Sequence, residues 1–134
     1  MVRKIKFRGK STDTGGWVYG FLSLFYTAGR DGNGLILTDK AKIYSPEDGC
    51  CDDVWAETVG QFSEITDKNG KRIFEHDIIL IYESESSYQF TVEVLFHKGM
   101  FCYRNKACGF TPLWYVSDRC EVIGNVFDNS ELIK

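Results

Sequence analysis

Ile78-Ile79-Leu80-Ile81-Tyr82, five apolar residues opening directly after Asp77, restrict the fold of this chain more than any other segment. Branched and aromatic side chains favour extended backbone, and an unbroken apolar run of this length reads as a strand buried on both faces. Tyr88 to His97 is a second extended stretch, and Lys98-Gly99 is expected to turn it back into Met100-Phe101-Cys102-Tyr103-Arg104. That register pairs His97 with Met100, Phe96 with Phe101, Leu95 with Cys102 and Val94 with Tyr103. It places Val94, Phe96, Phe101 and Tyr103 on the core face.

The N-terminal half repeats the pattern. Lys4-Ile5-Lys6-Phe7-Arg8 alternates apolar and charged residues, the period of a half-buried strand, and is expected at a sheet edge. Trp17 to Tyr26 is aromatic and uncharged, and the glycine-rich run Gly29 to Gly34 should join it antiparallel to Leu35-Ile36-Leu37-Thr38. A further strand is expected at Ala41 to Tyr44, ending in a mobile loop at Ser45-Pro46-Glu47-Asp48-Gly49. Thr58 to Phe62 is strand-like, Asn69-Gly70 suits a type I′ hairpin turn, and Ile73-Phe74-Glu75-His76-Asp77 suits either a single helical turn or a sharp corner. With strands expected at Leu113 to Val116 and Glu121 to Phe127, five short antiparallel strands follow position 77, the count of a small SH3-like barrel. No stretch keeps a helical period, so helix should be limited to short turns.

A length of 134 residues suits one domain, here expected as two lobes, 1–72 and 73–134. The net charge of −3 supplies no bulk attraction to polyanions, so a nucleic-acid role needs a local basic patch. No apolar run approaches the roughly 18 to 20 residues that span a bilayer, and the basic start leads into no signal-peptide core. A cytoplasmic protein without membrane contact is expected. Cys50, Cys51, Cys102, Cys108 and Cys120 are odd in number, which favours free thiols over a disulfide framework.

Three segments together resemble the YopX family. They are Ile5-Lys6-Phe7-Arg8 with Trp17-Val18-Tyr19-Gly20; Glu57-Thr58-Val59-Gly60-Gln61-Phe62 running through Thr66-Asp67-Lys68-Asn69-Gly70-Lys71 to Asp77-Ile78; and Glu121-Val122-Ile123-Gly124-Asn125-Val126-Phe127-Asp128-Asn129. The resemblance implies a mainly β, YopX-like protein of phages or prophages, with an antiparallel N-terminal lobe followed by an SH3-like barrel. It implies no activity and no catalytic or binding residues. His76 departs from the family pattern, where glycine usually precedes the aspartate, which argues against a positive-φ turn there.

Few residue sets suggest chemistry. Glu75-His76-Asp77 puts carboxylates beside an imidazole, but neighbours on a corner point apart, and Asp77 more naturally accepts backbone hydrogen bonds. His97 and Cys102 lie diagonally on one face of the expected hairpin, the arrangement of a thiol nucleophile and its base, yet no third residue orients the histidine. The cysteine spacings form no zinc knuckle, and Gly29 to Gly34 lacks the lysine and following helix of a phosphate loop. No cofactor or metal is expected.

Arg3, Lys4, Lys6, Arg8 and Lys10 make the one basic cluster, and Lys4, Lys6 and Arg8 share the strand face that nucleic acid would use; the alternative role for lysines there is to keep an edge strand from aggregating. The leading expectation is a non-enzymatic, self-associating interaction module. It would work as a homo-oligomer or with a phage or host protein, through Trp17, Tyr19, Trp55 and Trp114. Nucleic-acid binding is the alternative, and a Cys102/His97 enzyme the third.

Overall fold

The computed structural model describes residues 3–28, 34–83, 88–107 and 109–133. Antiparallel strands dominate, and among the described residues helix is confined to the 3₁₀ segments Ala56–Thr58, Leu113–Arg119 and Ser130–Leu132. Two compact units meet in sequence between Gln61 and Phe62, upstream of the boundary expected at Arg72.

The first unit holds β1 (Phe7–Lys10), β2 (Trp17–Ala28), β3 (Leu35–Ser45), β4 (Cys50–Trp55) and the first residues of β5 (Gly60–Thr66). Their order in the sheet is β4-β3-β2-β1-β5. β1 is therefore interior: Phe7 faces Gly20 on one side and Gln61 on the other. The expected edge strand starting at Lys4 is corrected on both counts. β2 pairs with β1 only through Trp17–Gly20 and with β3 from Phe21 onward, so Lys4 to Lys6 have no ladder to join.

β3 runs unbroken through Asp39-Lys40 where two strands were expected. The polar run after it is a tight turn in which the Gly49 N–H donates to the Ser45 carbonyl at 2.8 Å and Gly49 takes φ +70°. The turn feeds β4, a strand that the acids Asp52 and Asp53 disguise in the sequence. Ala41, Ile43 and Val54 form the buried centre, covered by Phe7, Val18, Leu22, Ala56 and Val59. The sheet curls enough that Ser11 bridges to Val54 and the Thr12 N–H reaches the Asp53 carbonyl at 3.0 Å. Gly9 permits the approach: a Cβ there would lie 2.8 Å from Val54 Cγ2. Residues 29–33 of the glycine-rich loop lie outside the described residues, but the antiparallel pairing it was expected to join is present.

The second unit continues β5 into a hairpin with β6 (Arg72–Phe74), Phe62 opposite Phe74 and Thr66 opposite Arg72. It adds β7 (Asp77–Tyr82), β8 (Gln89–Glu93), β9 (Leu95–His97), β10 (Met100–Asn105), β11 (Gly109–Pro112) and β12 (Cys120–Asn125). These make two three-stranded sheets, β12-β7-β8 and β11-β10-β9; among the described residues no strand pair closes them into a barrel. As expected, Ile78, Ile79 and Ile81 are fully buried, which requires both faces of β7 to be covered. The core gathers Ile73, Ile79, Ile81, Val94, Tyr103, Leu113, Val116 and Cys120.

Val94 separates β8 from β9 and ties down the corner before β7. Its N–H donates to the Asp77 carbonyl and its carbonyl accepts the His76 N–H, both at 2.8 Å. The hairpin register holds for His97/Met100, Phe96/Phe101 and Leu95/Cys102, with Lys98 at φ +49° and Gly99 at φ +83° as a type I′ turn demands. Val94 leaves the ladder instead of pairing with Tyr103, and the bend there changes which side chains are buried. Phe96 is exposed, packed edge-on to Phe101 at 4.9 Å, whereas Cys102 is buried. Leu113 to Val116 is 3₁₀ helix, not strand: Leu113 and Val116, three apart, share its buried side, and β11 supplies the extra strand before it.

Two turns depart from expectation in instructive ways. At Asn69-Gly70 only Gly70 takes positive φ, at +83°, so the turn is not type I′. The Asp67 side chain organises it, accepting the N–H groups of Asn69 and Lys71 at 2.9 Å each. At the second, His76 adopts φ +72° despite its side chain. Its backbone is pinned from both sides, since its carbonyl also accepts the Val126 N–H at 3.0 Å. The ring recovers part of the strain: Nδ1 lies 3.1 Å from Glu93 Oε2, and the imidazole meets Phe127 edge-on at 5.4 Å. His76→Gly should therefore be more stable than His76→Ala by about 1 kcal/mol, because both lose the ring contacts but only alanine keeps the left-handed penalty. Paired urea melts read this directly, and equal stability would contradict it.

Candidate functional site

Pairing in the first unit sorts side chains onto two faces, because residues opposite each other in a ladder share a side. One face carries the buried Ala41, Ile43 and Val54. The other brings together rows from four strands: Lys10 with Trp17, Arg8 with Tyr19, Phe21 with Tyr44 and Cys51, Lys42 with Asp53, and Lys40 with Trp55. Phe21 is 56% and Tyr44 46% exposed, and Tyr19, Phe25 and Trp55 are also open to solvent.

Cations and rings interleave across this outer face. The Arg8 guanidinium lies 4.5 Å from the Trp17 ring centroid and Lys10 Nζ 5.6 Å from it. Lys40 Nζ lies 5.6 Å from Trp55, and Lys42 Nζ 5.9 Å from Phe25. Lys42 also bonds Asp53 at 2.8 Å, and this pairing raises the lysine pKa and lowers that of the carboxyl.

The expected basic stripe is not assembled. Lys4 is exposed before β1, Lys6 lies 3.6 Å from Glu47, and Arg8 is buried against Trp17. Of the expected contact aromatics, Trp17, Tyr19 and Trp55 share the outer face, with Trp17 only half-buried beneath its cations. The residues not anticipated there are Phe21, Tyr44, Lys40 and Lys42. The alternation of Trp17, Tyr19 and Phe21 carries a signal for the first; nothing local identifies the lysines, which the β3 register brings in.

In the second unit Trp114 is 67% and Tyr115 56% exposed, perpendicular to each other at 6.1 Å. Leu113 and Val116 anchor their 3₁₀ segment in the core. The Arg119 guanidinium lies over Tyr115 at 4.9 Å and donates to the Tyr115 carbonyl at 3.1 Å.

The candidate catalytic groups take the following places. Burial raises the Cys102 thiol pKa, partly offset by the His97 backbone N–H, while the His97 ring stacks on Phe110 at 3.8 Å. Asp77 Oδ2 accepts the Phe74 N–H at 2.8 Å at the corner. Among the described residues no three His, Cys, Asp or Glu side chains come together to hold a metal ion. Cys50, Cys51, Cys102 and Cys120 are free thiols, and Cys108 lies outside the described residues. Burial, reinforced by the charges of Asp67 and Asp118, pushes the Cys120 pKa up to about 11. Alkylation of the native chain at mildly alkaline pH should modify Cys50 and Cys51 promptly while Cys102 and Cys120 react only on unfolding. Peptide mass mapping checks this, and prompt labelling of Cys120 would contradict its burial.

Fold and surface together define a mainly antiparallel β protein that exposes many aromatic side chains. The family model described as YopX protein matches residues 6–134, and the chain belongs to the YopX family. It is similar to the crystal structure of protein EF1440 from Enterococcus faecalis, with TM-score 0.56, 24% identity, and coverage of 98% of this chain and 99% of that one. It is likewise similar to the crystal structure of protein yopX from Bacillus subtilis, with TM-score 0.59, 21% identity, and coverage of 96% and 98%. These likenesses concern the fold. No curated protein matches. Among the described residues no helix is long and apolar enough to cross a membrane.

Proposed function

We propose that this chain is a non-enzymatic interaction module that self-associates, with Trp114 and Tyr115 at the contact between copies. The presentation of this pair carries the reading: two large rings stand in solvent on a segment whose neighbours Leu113 and Val116 are fully buried. Rings held this way lose little freedom on binding, and tryptophan and tyrosine are enriched among residues that dominate interface energy.

A second copy is the occupant that the surroundings favour. β11 ends its sheet, with β10 as its strand partner among the described residues, and like edges pair antiparallel across a two-fold axis. Asp118 and Arg119, 3.4 Å apart, put both charge signs beside the rings, so each copy can offer a partner to the other's charge across a two-fold axis. In this reading the second unit is an SH3-like small barrel, supported by the order β7, β8 with β9, β10, β11, 3₁₀ segment, β12. The chain would act in the cytoplasm on behalf of a phage or prophage, with a phage or host protein as a further partner.

Light scattering from low to high micromolar concentration tests the reading. The wild type should reach the mass of a dimer or larger oligomer, and Trp114→Ser with Tyr115→Ser should stay monomeric with an unchanged thermal melt. A wild-type monomer throughout, or an oligomer that survives both substitutions, contradicts it.

A further inference from the structure

In the second unit β8 ends the sheet β12-β7-β8, and its pairing with β7 fixes which of its backbone groups face outward. The Glu83 N–H donates to the Tyr88 carbonyl at 3.0 Å and the Val94 N–H to the Asp77 carbonyl at 2.8 Å, which marks hydrogen-bonded pairs at both ends. Such pairs alternate along an antiparallel ladder, so Ile81 with Phe90 and Ile79 with Val92 are hydrogen-bonded pairs as well. Gln89, Thr91 and Glu93 therefore turn their N–H and C=O groups away from β7. Among the described residues no backbone hydrogen bond meets them on that side. Edges that repel pairing carry lysine or proline, and Gln89-Phe90-Thr91-Val92-Glu93 has neither.

A cavity of about 710 Å³ opens beside this edge. Phe90, Thr91 and Val92 all line it, although side chains of successive strand residues point to opposite faces, so the edge of the strand itself is turned toward the space. The rest of the lining includes Asn105 and Ala107, at and beyond the end of β10 in the other sheet.

We propose that β8 takes up an extended segment of a partner protein as an added strand lying in this cavity, with apolar side chains at alternate positions of the segment. A row of outward N–H and C=O groups is complemented by another extended backbone. At the ordinary strand spacing of about 4.8 Å, the added backbone lies beside the edge and within the cavity. Segment residues opposite Phe90 and Val92 share their side, which packs against the core, so those positions take the apolar side chains. The charges on the lining, Glu83 with Arg104 and Lys106, are of both signs and single out neither a polyanion nor a polycation. A second copy would bring the whole sheet behind its own β8, whereas a free segment brings only its own backbone into a space between two sheets. The inference goes beyond the contact at Trp114 and Tyr115, neither of which lines the cavity, and does not rest on it.

A displayed library of random linear peptides, panned on the full chain, supplies the probe. Selected sequences should alternate apolar and polar residues. A synthetic copy should slow amide exchange at Gln89, Thr91 and Glu93, while Phe90 and Val92 are protected by β7 already. N-methylation of alternate residues of that peptide should abolish binding in one phase and spare it in the other. Thr91→Pro, a change an edge strand tolerates, removes an outward N–H and should weaken binding about 5- to 150-fold, the effect of leaving an acceptor unpaired. Ala107→Trp fills the cavity from its exposed rim and should weaken binding without altering the edge. Thermal melts verify that the variants are folded, and should Thr91→Pro fail to fold, Ala107→Trp decides. Trp114→Ser with Tyr115→Ser should bind the peptide as the wild type does, whether or not the wild type self-associates. No enriched sequence, a bound peptide that leaves Thr91 exchange unchanged, or binding that survives Ala107→Trp overturns the proposal.

Discussion

Asp67→Ala should destabilise the second unit by on the order of 3–5 kcal/mol. The carboxylate is buried and serves three backbone donors at once. Oδ1 accepts Asn69 and Lys71 in its own turn, and Oδ2 accepts Val122 of β12 at 2.9 Å, joining segments far apart in sequence. Removing it strands all three N–H groups, each worth about 1.5–3 kcal/mol when bonded to a charge. Asp67→Asn keeps an acceptor for the local turn but presents an NH2 group to Val122, so it should lose less. The pH dependence follows from the same contacts. Burial alone would raise the Asp67 pKa, but the three backbone donors outweigh it and the net shift is downward. A depressed folded value means that the stabilisation is present above the unfolded carboxyl pKa, about 3.9, and is lost as pH falls through the folded one. Urea melts of wild type and Asp67→Ala should differ by a constant amount from neutrality to about pH 4 and converge below it. A gap that stays constant into stronger acid would contradict this role.

Gly20→Ala should destabilise the first unit by about 3 kcal/mol or more. Gly20 sits where β2 leaves β1 for β3, and a Cβ there would collide with the Tyr44 carbonyl, whose carbon is 2.7 Å away. Backbone cannot step aside as a side chain can, so β2 and β3 must separate. Gly15→Ala is the control: Gly15 has φ +75° but no atom within 4 Å of the added methyl. It should cost only the left-handed penalty, about 1 kcal/mol. Circular-dichroism melts of the two variants separate crowding from dihedral strain, and equal losses would contradict the close approach at Gly20.

What the sequence made legible was local. Lys98-Gly99 predicts its own turn and three pairs of its ladder, because both residues must take positive φ and the hairpin has no other register. The apolar run at Ile78 declares burial on both faces. β4 is hidden because it carries two adjacent acids, Asp53 on the outer face beside Lys42 and Asp52 opposite Ile43, and its pairing to β3 is decided by residues elsewhere. The turn at Asn69-Gly70 differs in type from the expected I′ because Asp67, through its side chain, determines it. His76 takes the glycine-like conformation since Val94 and Val126 hold its backbone whichever side chain it carries. The surfaces divide likewise: Trp114 could be named from its residue type, whereas Lys40 and Lys42 join Trp55 and Phe25 only once the β3 register is known.

Amide hydrogen exchange at low and high protein concentration tests the proposed self-association most directly, because it reports where copies meet. The account predicts that amides of β11 and of Leu113–Arg119 exchange more slowly as concentration rises, while β2 and β3 are unaffected. Exchange in 109–119 that is independent of concentration, or protection confined to other strands, would contradict it.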